Sequence, residues 1–261
     1  DIYKTLSEQQ RLRYNQLQGL YTNEQYIFFE STLTQTLFGG ILNHKKSRHL
    51  HDQVVNYVKE ENNHWRWFDA LNKKCAPQFY QDTPFKFIEL SKSSQSLWDF
   101  LARHVNWFPM FLWFIYLQEE RAMHNDLMIA GMEGIVEPHF VSVHKKHAQD
   151  EQSHGDVVSD LLGIYWHPKS ITLKKLNVKL LNWAFFEYFL VPKRSAVHVL
   201  DEWFKEFPML AHRKQEILNG FNGLRHNRDF VNAMYGENII PNTVKLMNKC
   251  AHLKPFIGEL C

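Results

Sequence analysis

The sequence predicts an all-α protein, and three observations carry that reading. Long segments repeat apolar residues at helical spacing between short Ser, Asn and Gly clusters. Alternating strand patterns are scarce. The two halves of the chain also repeat one phrase: Glu30 followed by Glu61-Asn62-Asn63-His64, and Glu120 followed by Glu151-Gln152-Ser153-His154. The separations 61 − 30 and 151 − 120 both equal 31. One carboxylate from each of two helices, with a Glu-x-x-His from each of two others, is the ligand set of a carboxylate-bridged di-metal site inside a four-helix bundle.

Each element follows from the pattern. The first helix runs from near Asn23 to Leu37 and ends at Gly39-Gly40, with Tyr26, Ile27, Leu33, Thr34 and Leu37 on the Glu30 face. The second, from about Lys46 to Leu71, carries Glu61 and His64. The segment from Lys73 to Lys92 holds Pro77 and Pro84 among polar residues and reads as the long crossover between halves. A third helix begins near Ser94, capped by Ser93 or Ser94, and continues to about Ala130, with Pro109 starting or kinking a helix. The fourth starts around Glu137-Pro138, where Pro suits a first turn, and extends to about Tyr165 before Pro168. Helices near Leu173 to Leu190 and Ala196 to Asn222 follow, and the remainder is less clearly patterned. The whole reads as one domain over 1–261, with a core bundle at about 23–165 and extra helices over 170–261.

Composition narrows the function classes. The chain is 44% hydrophobic and 15% aromatic, with 20 Phe, 10 Tyr and 8 Trp, which implies a ring-rich interior and excludes extensive disorder. Thirty Lys and Arg against 28 Asp and Glu leave +2, too little to make nucleic acid the main partner and compatible with an acidic substrate. The most apolar run, Trp107 to Leu117, contains Pro109 and is too short to span a bilayer. No signal-peptide pattern opens the sequence, and its start at Asp1 implies trimming or processing. Cys75, Cys250 and Cys261 are odd in number and widely spaced, as in a reducing compartment, so a cytoplasmic location is expected.

Residues three or four apart share a helix face, so Glu61 with His64, and Glu151 with His154, can each aim a carboxylate and an imidazole at one ion. Glu30 and Glu120 then bridge or bind the ions from the other two helices. Equal spacing and the apolar neighbours Tyr116, Leu117 and Met123 select Glu120, leaving Glu119 to face water or pair with Arg121. Carboxylates mixed with imidazole suit iron, or manganese as the alternative, and the absence of a Cys pair argues against zinc or iron–sulfur. Glu60 and Asp150 precede the two motif glutamates and are expected to accept the other ring proton of the site histidines. His147 lies at angles of about 40° and −20° from Glu151 and His154 on a helical wheel, on the same side, and offers a third imidazole. His144, one turn further back, His124 and Glu187 are weaker candidates. Phe28, Phe29, Trp65, Trp67, Phe68, Phe114 and Tyr116 could line or back a pocket, although core packing accounts for most of them.

With these residues in place, the segment from Asn23 to Tyr165 resembles the ferritin-like di-iron oxygenase superfamily. Within it, His147-Ala-Gln-Asp-Glu151-Gln-Ser-His154 resembles the p-aminobenzoate N-oxygenase family, which adds a third histidine one turn before the last Glu-x-x-His. The resemblance implies Glu30, Glu61, His64, Glu120, His147, Glu151 and His154 as ligands of two iron ions. It also implies dioxygen activation through a peroxo di-ferric intermediate, electrons from an external reductase or ferredoxin, and oxidation of an amine nitrogen to hydroxylamine, nitroso or nitro products. The substrate would be a small amine or one tethered to a carrier protein, and a homodimer is compatible with this picture.

Other resemblances imply other chemistry. Glu60-Glu61-Asn62-Asn63-His64 resembles the EENRH stretch of acyl-carrier-protein desaturases, whose chains are usually longer and lack the added histidine. Aldehyde-deformylating oxygenases share the core pattern without needing His147. The ribonucleotide reductase radical subunit normally places tyrosine where Phe68 stands, so a tyrosyl-radical role is not expected. Iron storage, the reading from another class, would require a shorter cage-forming unit and leaves the C-terminal helices unexplained.

Overall fold

A Ser7-x-x-Gln10 capping box opens the first long helix. The Ser7 Oγ accepts from the Gln10 N–H and the Gln10 side chain accepts from the Ser7 N–H, closing two orphan donors at once. In this computed structural model, which describes residues 2–260, α1 (Glu8–Phe28) therefore begins well before the expected start near Asn23. It runs on through a π-helical segment, Phe29–Thr34, into α2 (Gln35–Leu42). A π turn inside an α-helix is an uncommon local distortion found mostly at functional positions, and this one carries Glu30.

A 3-10 turn at Lys45–Leu50 leads into α3 (His51–Cys75). The crossover over residues 76–91 is non-helical, as expected, and its docking point is Glu24 of α1. That buried carboxylate accepts from the Tyr80 hydroxyl and from the backbone N–H groups of Lys86, Phe87 and Ile88. Ser91 caps α4 (Lys92–Arg103), and Pro109 caps α5 (Met110–Ala130). The single helix expected across Pro109 is thus two, because proline cannot supply the interior N–H that continuity requires. Glu137 caps α6 (Pro138–Asp150), with Pro138 in its first turn. After a short 3-10 stretch, Glu151–Ser153, α7 (His154–Tyr165) continues.

The chain then forms α8 (Ile171–Tyr188), α9 (Lys193–Glu206), α10 (Lys214–Leu224), α11 (Arg228–Tyr235), α12 (Pro241–Asn248) and α13 (Lys254–Leu260). No strand occurs among the described residues. α1 packs along α3, α5 packs against both α6 and α7, and α3 contacts α6 and α7. The largest apolar core runs from Leu33, Phe38 and Tyr57 through Phe111–Leu117 to Phe185, Tyr235 and Phe256, so the C-terminal helices share it with α5. A second core joins Leu17, Leu20, Tyr80 and Phe87 to Val199 and Trp203 of α9. Among the described residues no helix is long and apolar enough to cross a membrane. Cys75 and Cys250 are free thiols, and Cys261 lies outside the described residues.

Candidate metal centre

Four helical rods converge on one buried cluster: α1 with its π segment brings Glu30, α3 brings Glu61 and His64, α5 brings Glu119, and α6 through α7 bring His147, Glu151 and His154. The donor atoms fall into two adjoining groups, Glu30–His64–His147 and Glu61–Glu119–Glu151–His154, and within each they lie within 4.8 Å of one another. All seven side chains are buried. Glu61 and Glu151 sit between the groups. The Glu61 Oε1 lies 3.4 Å from His64 Nδ1 and 3.1 Å from His154 Nδ1, while Glu151 reaches His64 at 3.2 Å, His147 at 3.0 Å and His154 at 2.9 Å. Glu61 and His64 therefore fall into different groups and Glu151 and His154 into the same one, with the two motif glutamates between the groups.

Glu120 requires a correction. It is buried, but it points away from the cluster: its Oε1 accepts from the N–H and the side-chain amide of Asn242, and its Oε2 from the N–H of Thr243. The carboxylate thus satisfies orphan donors in the first turn of α12, where negative charge is also favoured. Glu119 takes the place expected for Glu120, and Arg121, expected beside Glu119, instead lies over the Tyr235 ring at 4.9 Å. Equal spacing misleads because the connections differ: a 3-10 turn links the first pair of rods, whereas residues 131–137 link the second. The helical wheel could not arbitrate, since α5 is buried around most of its circumference from Met110 to Glu120.

The polar surroundings orient the histidines. His64 and His154 turn Nδ1 inward, and their Nε2 atoms face carboxylates from the opposite rod: Asp150 at 3.4 Å from His64 and Glu60 at 2.9 Å from His154. The expected partners are both present, and each serves the other half's histidine. His147 is reversed, with Nε2 inward and Nδ1 on Asp126. Asp126, which sequence reasoning missed, also bonds His144 Nδ1 and the Tyr26 hydroxyl. His144 stands outside the cluster, its Nε2 on Asn23, which in turn bonds Asn72. A signal for Asp126 existed: it lies seven residues after Glu119, on the same helix face. The Tyr57 hydroxyl donates to Glu119, and its ring lies 4.1 Å from that of His154.

Neither Lys nor Arg pairs with the cluster carboxylates among the described residues, so imidazoles are their cationic partners. Burial pushes the Glu30 carboxyl up to about 8, and burial together with Glu151 and Glu61 raises Glu119 well above the ordinary range. Glu151 is held low, since His154 and His147 outweigh its burial. Burial would lower His64, but Glu151 and Glu61 prevail and raise it to about 10; carboxylates likewise raise His147 and His154.

The strongest sign of a ligand is what stays unpaired. Glu30 Oε2, both Glu61 oxygens, His64 Nδ1, His147 Nε2 and Glu151 Oε1 are buried without a hydrogen-bond partner. Several lie 3.0–3.4 Å from one another as carboxylate–imidazole ion pairs without forming hydrogen bonds. Burying such groups unpaired is costly, whereas oxygen and nitrogen donors converging in this way could hold metal ions. Of the aromatic residues considered as pocket lining, Phe29, Phe68 and Phe114 are buried in the core, Trp65, Trp67 and Tyr116 are half-buried, and Phe28 lines a separate cavity beside α1.

No protein-family model matches this sequence, and neither the curated proteins nor the solved structures give a match.

Proposed function

We propose that the chain is a ferritin-like di-iron oxygenase of the arylamine N-oxygenase type, oxidising an amine nitrogen with dioxygen and external electrons. The observation that carries the reading is the buried set of four carboxylates and three imidazoles that converges from four rods, with six of its donor atoms lacking a hydrogen-bond partner. Two iron ions, when bound, would supply the electrons that activate dioxygen for oxygen transfer.

The chain's own residues have separable roles. Glu61 and Glu151 would bridge the ions; Glu30, His64 and His147 would hold one, and Glu119 and His154 the other. Asp126 accepts the Nδ1 proton of His147 and so fixes the tautomer that leaves Nε2 free for metal. Tyr57 holds a proton at the Glu119 oxygen it faces. Phe68, whose ring lies 5.0 Å from that of His147, would help to keep bulk water from the centre. His147 would be the seventh ligand, which favours N-oxygenation over the desaturase alternative.

The test is to add two equivalents of ferrous iron without air, then a chemical reductant, dioxygen and a panel of arylamines, and to analyse products by mass spectrometry. Oxygen incorporated at nitrogen, lost in His147→Ala with folding retained, supports the reading. Dioxygen consumption with every amine returned unchanged contradicts it.

A further inference from the structure

Charge divides sharply along this chain. Residues 1–168 carry 16 Lys and Arg against 20 Asp and Glu, a net −4, whereas residues 169–261 carry 14 against 8, a net +6. Part of that excess gathers at one place. Lys179 of α8, Arg225 and His226 after α10, and Arg228 of α11 line an open groove of about 590 Å³ together with Trp183 and Phe186, with Glu259 as the acidic member of the lining. Trp183 is 40% exposed, an unusual position for so large a ring. Trp107, 63% exposed, lies beside the same helix, its carbonyl bonded by Asn177. Basic side chains around exposed aromatic rings suit an acidic protein surface.

A second observation connects the groove with the interior and points to an electron donor. Trp183 stacks nearly parallel on buried Trp98 at 6.4 Å, and Trp98 meets Phe189 at 6.2 Å. Phe189 contacts Phe114 at 4.3 Å, and Phe114 contacts Phe29 at 5.9 Å, next in sequence to Glu30. A packed run of rings thus leads from the groove to the residue that precedes Glu30.

We propose that this groove docks an acidic iron–sulfur protein that donates one electron at a time, and that Trp183 and Trp98 begin the path to the metal centre. The proposal rests on the di-iron reading. Each transfer oxidises the donor's cluster by one electron and reduces one ferric ion to ferrous; two transfers restore the pair, and the rings themselves are neither oxidised nor reduced.

Docking can be measured without metal, so its failure is distinct from a failure to load iron. Metal-free protein is titrated with a plant-type [2Fe–2S] ferredoxin by calorimetry at rising salt. The expected result is binding that weakens with salt and falls about tenfold or more in Lys179→Glu/Arg225→Glu, but not in the remote Lys45→Glu control. In the iron-loaded protein, Trp183→Leu should slow reduction by ferredoxin while leaving reduction by dithionite unchanged. Absence of ferredoxin binding, binding indifferent to charge reversal, or a groove that prefers an acyl carrier protein would overturn the proposal.

Discussion

Glu119 and Glu120 are adjacent on α5 and both buried, yet their carboxylates meet opposite surroundings. Glu120 receives three N–H donors from Asn242 and Thr243. Glu119 receives one hydroxyl, from Tyr57, and otherwise faces Glu61, Glu151 and His154. Glu24 and Glu30 repeat the contrast on the first long helix, the former saturated by donors from the crossover and the latter with an oxygen left unpaired. A buried carboxylate surrounded by N–H groups ties helices together. One surrounded by other carboxylates and imidazoles, with donor atoms left without hydrogen bonds, is suited to hold a cation, and burial alone does not tell them apart.

The sharpest way to break this contrast is to exchange the roles. Glu119→Ala should lose at least one of two bound metal ions, whereas Glu120→Ala should keep both; anaerobic ferrous binding followed by elemental analysis gives the counts, and equal losses would erase the distinction. Next in size is Asp126→Asn, which removes the acceptor fixing His147. Metal affinity should drop about 10- to 100-fold while helicity is retained, read by competition with a chelator of known affinity. An unchanged affinity would mean that His147 needs no such partner.

Proton binding sharpens the comparison further. Glu30 titrates higher in the folded, metal-free chain than when unfolded, so its ionisation weakens the fold as pH rises from about 4.5 to about 8. His64, raised to about 10, contributes stability that is present below about 6.5 and lost as pH approaches its folded value. Both act in one direction. The Tm of the metal-free protein should therefore fall between about pH 6 and 9, and the Tm gain on adding manganous ion should grow over that range. A gain that shrinks with rising pH would contradict this proton inventory. The smallest effect belongs to the saturated carboxylate: Glu120→Gln should cost about 1–3 kcal/mol in urea denaturation, with metal stoichiometry unchanged.

What the sequence disclosed follows the range of the interactions. Glu61 with His64, and His147 with Glu151 and His154, were legible because helix geometry alone places them on common faces. Glu60 and Asp150 were legible as partners but not in their crossed assignment, which depends on how α3 packs against α6 and α7. The choice between Glu119 and Glu120 is made by α12, more than a hundred residues away, and leaves no local trace. Pro109 announced a helix start, while the polar stretch before Asn23 concealed a helix that in the structure opens at the Ser7-x-x-Gln10 capping box.

The most direct measurement is diffraction from crystals grown with ferrous iron, recorded on either side of the iron absorption edge. Two anomalous peaks flanked by Glu61 and Glu151, one beside Glu30, His64 and His147 and the other beside Glu119 and His154, are predicted. Absence of both peaks, or a peak at Glu120, would contradict the account.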